Sequence, residues 1–122
     1  MSSARFPSMA AGLSLVALAW ATQASAHAVL VRSSPEANAT VAAPKAISLT
    51  FNERLAPAFS GFALAGRGGA AMKVRITLSS DRKTMIGVPA APLRAGAYKL
   101  SWRAAASDDG HLTKGELAFR VK

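Results

Sequence analysis

Cysteine is absent from the 122-residue sequence, and histidine occurs only twice. Without cysteine the chain has neither disulfides nor a thiolate metal site, so packing alone must stabilise it. Acidic residues are also scarce, with 6 against 15 basic ones. The basic residues stand singly between apolar ones and form no cluster with interleaved aromatic residues, which argues against a nucleic-acid partner. We interpret the net positive charge as that of a solvated surface. Attraction to anionic lipid headgroups is a lesser alternative.

The first 26 residues have the pattern of a secretory signal peptide. Arg5 provides a short positive region, residues 9–20 are apolar, and Ala24-Ser25-Ala26 is a small-residue cleavage pattern. The alternative is an uncleaved membrane anchor, but polar residues soon after Trp20 end the apolar run before the ~20 residues that a spanning helix needs. We expect cleavage after Ala26, and no later stretch is apolar enough to span a membrane. The product would be a single exported domain of residues 27–122.

Apolar residues alternate with polar or basic ones in five segments of this domain, and such alternation is typical of half-buried antiparallel strands. Turn signals rich in proline, glycine and aspartate separate the segments, and no amphipathic helix pattern occurs. The sequence therefore predicts an all-β sandwich of about seven strands. The immunoglobulin-type Cys…Trp…Cys pattern is missing. The inward positions are Ile47, Leu49 and Phe51; Phe62 and Leu64; Met72, Val74, Ile76 and Leu78; Tyr98, Leu100 and Trp102; and Leu117, Phe119 and Val121.

The chemistry-bearing residues are concentrated in Ser107-Asp108-Asp109-Gly110-His111. Asp109 and His111 are two residues apart, so in an extended segment both side chains would project to one side. The alternative is that Asp-Gly marks an ordinary turn and that the histidine is solvated; the motif alone favours this alternative. No catalytic nucleophile is supported, because nothing marks a strained elbow or an oxyanion hole near Ser107.

The other histidine changes this balance, because His27 would be the first residue after cleavage. Its free α-amine and its ring Nδ1 can chelate one metal ion, and metal binding can displace the proton of the amine at neutral pH. A nitrogen of His111 and an oxygen of Asp109 would complete an N,N,N,O donor set. Such a set favours Cu(II), although Zn(II) can use the same groups. Met72 is more simply explained as a core residue than as a metal ligand, and Met85 is also a weak ligand candidate.

These residues resemble the CopC (copper resistance protein C) family. The matching stretches are "HAVLVRSSPEANATVAAPKAISLTFNERL", "LRAGAYKLSWRAAASDDGH" and "GELAFRV", in this order along residues 27–122. The resemblance implies a seven-stranded Greek-key β-sandwich or barrel, immunoglobulin-like or cupredoxin-like, in the periplasm.

The resemblance also implies one Cu(II) ion per mature chain, held by the amine and ring of His27, by Asp109 and by His111. Glu53 matches an acidic position close to this copper, as a weak ligand or a neighbour of the ligands; otherwise it is a surface carboxylate. Asp108 falls at a variable position of the motif. Some members carry a methionine cluster with a histidine for Cu(I). This chain lacks that cluster, so it looks like the Cu(II)-only type.

The function implied is that of a monomeric, non-enzymatic copper carrier or buffer in copper homeostasis or resistance. Family members often act beside a CopD-like inner-membrane copper transporter, which here would be a separate chain. Two alternatives remain open. One is a histidine-brace copper monooxygenase, for which a 96-residue sandwich with short turns has little room, and the other is a metal-free β-sandwich interaction module.

Overall fold

In the computed structural model, which describes residues 27–122, two β-sheets pack face to face. The predicted signal peptide and the predicted cleavage after Ala26 lie outside the described residues. The strands are β1 Leu30–Ser34, β2 Thr40–Val41, β3 Ile47–Phe51, β4 Gly61–Ala65, β5 Ala71–Met72, β6 Val74–Leu78, β7 Thr84–Pro89, β8 Gly96–Ala105 and β9 Leu112–Val121. Two short 3-10 helices, Pro57–Phe59 and Arg67–Gly69, lie on either side of β4.

The four-stranded sheet has the order β1-β3-β7-β6, and the five-stranded sheet has the order β2-β9-β8-β4-β5. All neighbours are antiparallel except β2 and β9, which run parallel. The predicted all-β sandwich is confirmed: seven of the described strands have five residues or more, and the other two have two residues each. Residues 27–122 form two open sheets and no closed barrel. They also contain no helix that is long and apolar enough to cross a membrane.

The core lies between the sheets and is made by the predicted alternation. Leu49 and Leu100 are 0% exposed and come from opposite sheets, as do Phe51 and Phe119, each 1% exposed. Fully burying a side chain of this size stabilises a fold by about 1.5–3 kcal/mol. Trp102 is only partly buried, and its ring packs edge-on against Phe51 with the ring centroids 5.1 Å apart.

The continuous strand predicted from Met72 to Leu78 is wrong. The chain leaves the ladder at Lys73, so that β5 belongs to the five-stranded sheet and β6 to the four-stranded sheet. Met72 and Val74 nevertheless both pack against the core. The alternation therefore identified the buried positions but could not reveal that the chain changes sheets between them.

Strand β7 was missing from the predicted segments because one of its inward positions is a glycine. A methyl group at Gly87 would collide with the ring of Phe62 and with Val74. Phe62 from the opposite sheet occupies the space beside Gly87, so only glycine fits at this position. The period-two pattern of β7 therefore lacks an apolar residue here. Met85, the inward residue two positions before Gly87, is 0% exposed.

Candidate metal centre

The backbone directly after His27 is held by both sheets. Ala28 is 1% exposed, and its carbonyl oxygen accepts a hydrogen bond of 2.8 Å from the Thr113 hydroxyl on β9. The Val29 amide donates to Asn52 Oδ1 at 2.7 Å, and the Asn52 amide donates to the Val29 carbonyl at 3.1 Å. Two residues thus span the gap between the sheets, and they fix the position from which His27 projects.

Ser107 to Asp109 form a turn, which is the alternative that Asp-Gly indicated, so Asp109 and His111 do not lie in an extended segment. The Gly110 amide donates to the Ala106 carbonyl at 2.9 Å, and Gly110 has a φ of +69°, a conformation that glycine adopts readily. Asp109 Oδ1 accepts a hydrogen bond of 3.0 Å from the His111 amide. The two residues are close because the aspartate side chain closes the turn, as aspartate often does.

This turn brings the second histidine against the first. The ring centroids of His27 and His111 are 4.9 Å apart, and the ring planes are inclined by 54°. Both residues are exposed, as is Asp109. The structure therefore unites two of the predicted ligands, which lie 84 residues apart in the sequence, at one accessible point on the end of the sandwich.

The segment after β3 lies at the same end. The Arg54 carbonyl accepts a hydrogen bond of 2.8 Å from the Ser107 amide, and Leu55 pairs with Ala106 in an isolated bridge. Glu53 is therefore held between Asn52, which contacts the N-terminal segment, and Arg54, which contacts the histidine loop. Its side chain is half-buried.

The hairpin between β6 and β7 closes this end from the other side. The Arg82 carbonyl accepts a hydrogen bond of 2.9 Å from the Leu55 amide. The pKa of Asp81 is lowered because its carboxylate accepts hydrogen bonds from the Ser79 hydroxyl and from the Lys83 amide. This carboxylate therefore forms its hydrogen bonds within its own turn.

In residues 27–122, no group of three or more His, Cys, Asp or Glu side chains is arranged around a common point. The side-chain donors at this end are two imidazoles and an adjacent carboxylate, a set that suits Cu(II) or Zn(II). Asp109 Oδ1 accepts the hydrogen bond that closes the turn, and the second oxygen of this carboxylate can bind a metal ion. Met85 is buried in the core, so it is unsuited to binding a metal at this surface.

Two residues that position the candidate site, Asn52 and Thr113, were not predicted. Both are polar residues beside apolar ones at the ends of strands, and such residues are usually solvated. Thr113 directly follows an exposed leucine on β9 and faces the N-terminal segment across the gap between the sheets. Only the pairing of distant segments gives it a partner, so no local sequence pattern could have identified it.

Comparisons with known proteins identify the family of this chain. A family model described as the CopC domain matches residues 30–122. The chain belongs to the CopC family. It is 42% identical to copper resistance protein C of Xanthomonas campestris pv. juglandis, over 96% of this chain and 98% of that protein. It is 38% identical to copper resistance protein C of Escherichia coli, over 84% of this chain and 86% of that protein.

Two solved structures share the fold of this CopC-family chain. PcoC, a methionine-rich copper resistance protein from Escherichia coli, aligns with a TM-score of 0.73 and 37% identity, covering 79% of this chain and 99% of that one. CopC from Methylosinus trichosporium OB3b aligns with a TM-score of 0.71 and 31% identity, covering 79% and 94%.

The comparisons confirm three predictions: the family, the sandwich fold and an association with copper that is not enzymatic. The methionine content differs from that of the Escherichia coli protein, which is described as methionine-rich. Residues 27–122 of this chain contain only Met72 and Met85, and both pack in or against the core.

Proposed function

We propose that this protein is a periplasmic carrier or buffer for Cu(II), which binds one ion per chain through His27, Asp109 and His111. The observation that supports this most directly is the 4.9 Å separation of the two imidazole rings. Imidazole rings at this distance can turn their nitrogens toward one ion, and the hydrogen-bonded backbone on both sides keeps them at this distance.

The third nitrogen donor would come from processing. In the 122-residue chain the nitrogen of His27 belongs to a peptide bond, whereas cleavage after Ala26 turns it into an amine. Amine and Nδ1 of one residue then close a chelate, so His27 would supply two donors. Glu53 would lie beside these ligands as a weak ligand or as an acceptor for the amine, since charge-assisted hydrogen bonds to carboxylates are strong.

The exposure of the site supports a carrier or buffer. Both histidines and Asp109 are exposed, so ligands of an acceptor protein can approach the ion while it is still bound. The acceptor we propose is a CopD-like copper transporter in the inner membrane, acting as a separate chain, with this protein as a monomer. The absence of cysteine, together with the burial of Met85, favours Cu(II) over Cu(I) in this proposal.

Titration of Cu(II) into the processed protein tests the proposal, after its mass has been measured to identify its first residue. We expect one tight site with nitrogen hyperfine structure in the electron paramagnetic resonance spectrum. Removing an outer hydrogen-bond partner of a ligand typically costs 10–100-fold in affinity, so His27→Ala should weaken binding by at least about a hundredfold. Insertion of one alanine before His27 keeps the ring but displaces the amine, and should also weaken binding strongly.

The neighbouring aspartates provide a matched control. Asp109→Asn should weaken Cu(II) binding, whereas Asp108→Asn, with the same change of charge one residue away, should leave it unchanged. A mature start at another residue, or equal effects of the two asparagine variants, would contradict the proposed ligand set.

A further inference from the structure

The outer surface of the five-stranded sheet carries an excess of positive charge. On β8 and β9 the inward residues include Tyr98, Leu100, Leu117 and Phe119, so the alternate residues point outward. Four of these outward residues are basic and exposed, and one is acidic. We call the four basic residues the basic face: Lys99, Arg103, Lys114 and Arg120.

The arrangement of these charges does not favour the fold itself. Arg103 and Lys114 are direct cross-strand partners, and like charges in this position destabilise a sheet. The acidic residue Glu116 forms an ion pair with Lys99, with Nζ and Oε2 3.1 Å apart. Within the described part of the chain, no ion pair neutralises Arg103 or Lys114. An external anionic partner would remove this repulsion.

The charges are spread along the length of the face. Its other outward residues are mostly small, with Ala63 and Ala65 on β4, and Ala97 and Ala118 beside the charges. From Lys114 to Arg120 the charges extend over about 20 Å at the usual rise per residue of a strand. Long basic side chains separated by small residues can contact several phosphate groups at the same time.

Exposed apolar side chains border the face at the histidine end. Leu112, the cross-strand partner of Ala105, is 48% exposed. Phe59 is 64% exposed and precedes Ser60, whose hydroxyl accepts a hydrogen bond of 3.0 Å from the Ala105 amide. The amphipathic helices that lie on membrane surfaces combine the same residue types, Lys or Arg with exposed Phe and Leu.

We propose that the basic face, with Phe59 and Leu112 at its edge, is a docking surface for anionic phospholipid bilayers. This inference goes beyond the copper proposal and requires no bound metal. Each basic residue close to an anionic surface strengthens binding by about fivefold, and the effect decays within a Debye length of ~8 Å at physiological ionic strength. Basic residues on the other sheet would be farther away, because packed sheets are about 10 Å apart.

The outer face of the four-stranded sheet supplies a matched control. Arg32 and Arg75 are exposed there and pair with Thr50 and Val88. The experiment is co-sedimentation of the processed, metal-free protein with phosphatidylcholine vesicles, with and without a minor fraction of phosphatidylglycerol. We expect binding that requires phosphatidylglycerol and disappears at high salt.

The double variant Arg103→Gln/Lys114→Gln should weaken vesicle binding by about twenty-five-fold, as two contacts of about fivefold each are lost. Arg32→Gln/Arg75→Gln has the same net charge and should weaken binding less than about threefold. Circular dichroism of both variants reports whether they are folded. Phe59→Ser should reduce the fraction of binding that survives moderate salt.

Three outcomes would overturn the proposal. One is binding that does not depend on phosphatidylglycerol, and another is an equal loss in the two double variants, which would indicate net charge alone. The third is that the protein does not bind vesicles but binds polyglutamate in a manner that depends on Arg103 and Lys114. This result would identify an acidic protein segment as the partner.

Discussion

The interior of the sandwich and its histidine end differ in how they are held. In the interior, side chains such as Leu49 and Leu100 are fully buried and pack by shape. At the histidine end the side chains of the proposed ligands are exposed, and the backbone beneath them is fixed by hydrogen bonds with Asn52 and Thr113. We infer that stability and the proposed metal binding depend on largely separate residues in this protein, and that Thr113 contributes to both.

The largest effect should come from the interior. Leu100→Ala should lower the free energy of unfolding by about 2–5 kcal/mol, because it removes buried methyl groups and leaves a cavity. Urea denaturation measures this loss, which is large beside a typical total of about 5–15 kcal/mol. The copper affinity of the fraction that remains folded should equal that of the parent protein. A markedly weaker copper site in the folded variant would contradict the separation.

An intermediate effect should appear at Thr113. Thr113→Val keeps the shape but removes the hydroxyl that donates to the Ala28 carbonyl, which should cost about 1 kcal/mol of stability. It should also weaken Cu(II) binding by about tenfold, since the position of His27 becomes less fixed.

Thr113→Ser should restore copper affinity because it keeps the hydroxyl. Thr77→Val, on the exposed outer face of the four-stranded sheet, serves as the control and should change neither property. Equal copper affinities of the Val and Ser variants would show that the hydroxyl does not position the site.

The smallest effect should come from the turn at Asp81, which lies at the histidine end but outside the ligand set. Its pKa is lowered from 3.8 in the folded protein, so the ionised carboxylate favours folding. This contribution is fully present above the unfolded pKa and is lost as the pH falls through the folded pKa. Asp81→Asn should therefore be slightly less stable than the parent at pH 7.

That difference should vanish well below pH 4. Thermal unfolding across this pH range measures it, and Cu(II) affinity at neutral pH should be unchanged. A stability difference that persists in strong acid would show that Asp81 acts through something other than its charge.

The sequence predicted the interior better than the histidine end, for a physical reason. Buried strand positions produce a period-two alternation of apolar residues in the sequence, and Leu49 and Phe119 follow this alternation. The alternation is interrupted at Gly87, where a glycine stands in place of an apolar residue and makes room for Phe62. The metal-binding candidates were predicted by residue type and by the resemblance. The extended segment considered for Asp109 and His111 does not occur, since Asp109 closes a turn. The contact between Thr113 and Ala28 joins residues 85 apart and leaves no local pattern.

The burial of Ala28 has a consequence for the order of the proposed export and processing steps. Ala28 is 1% exposed, and only His27 separates it from the proposed cleavage bond. Proteases act on segments that are locally open, so a chain already docked between its sheets would present this bond poorly. The proposed signal peptide should therefore be removed before the N-terminal segment closes onto Thr113 and Asn52. Maturation would then precede the last step of folding, and the new amine would reach its place beside His111 only when the domain is complete.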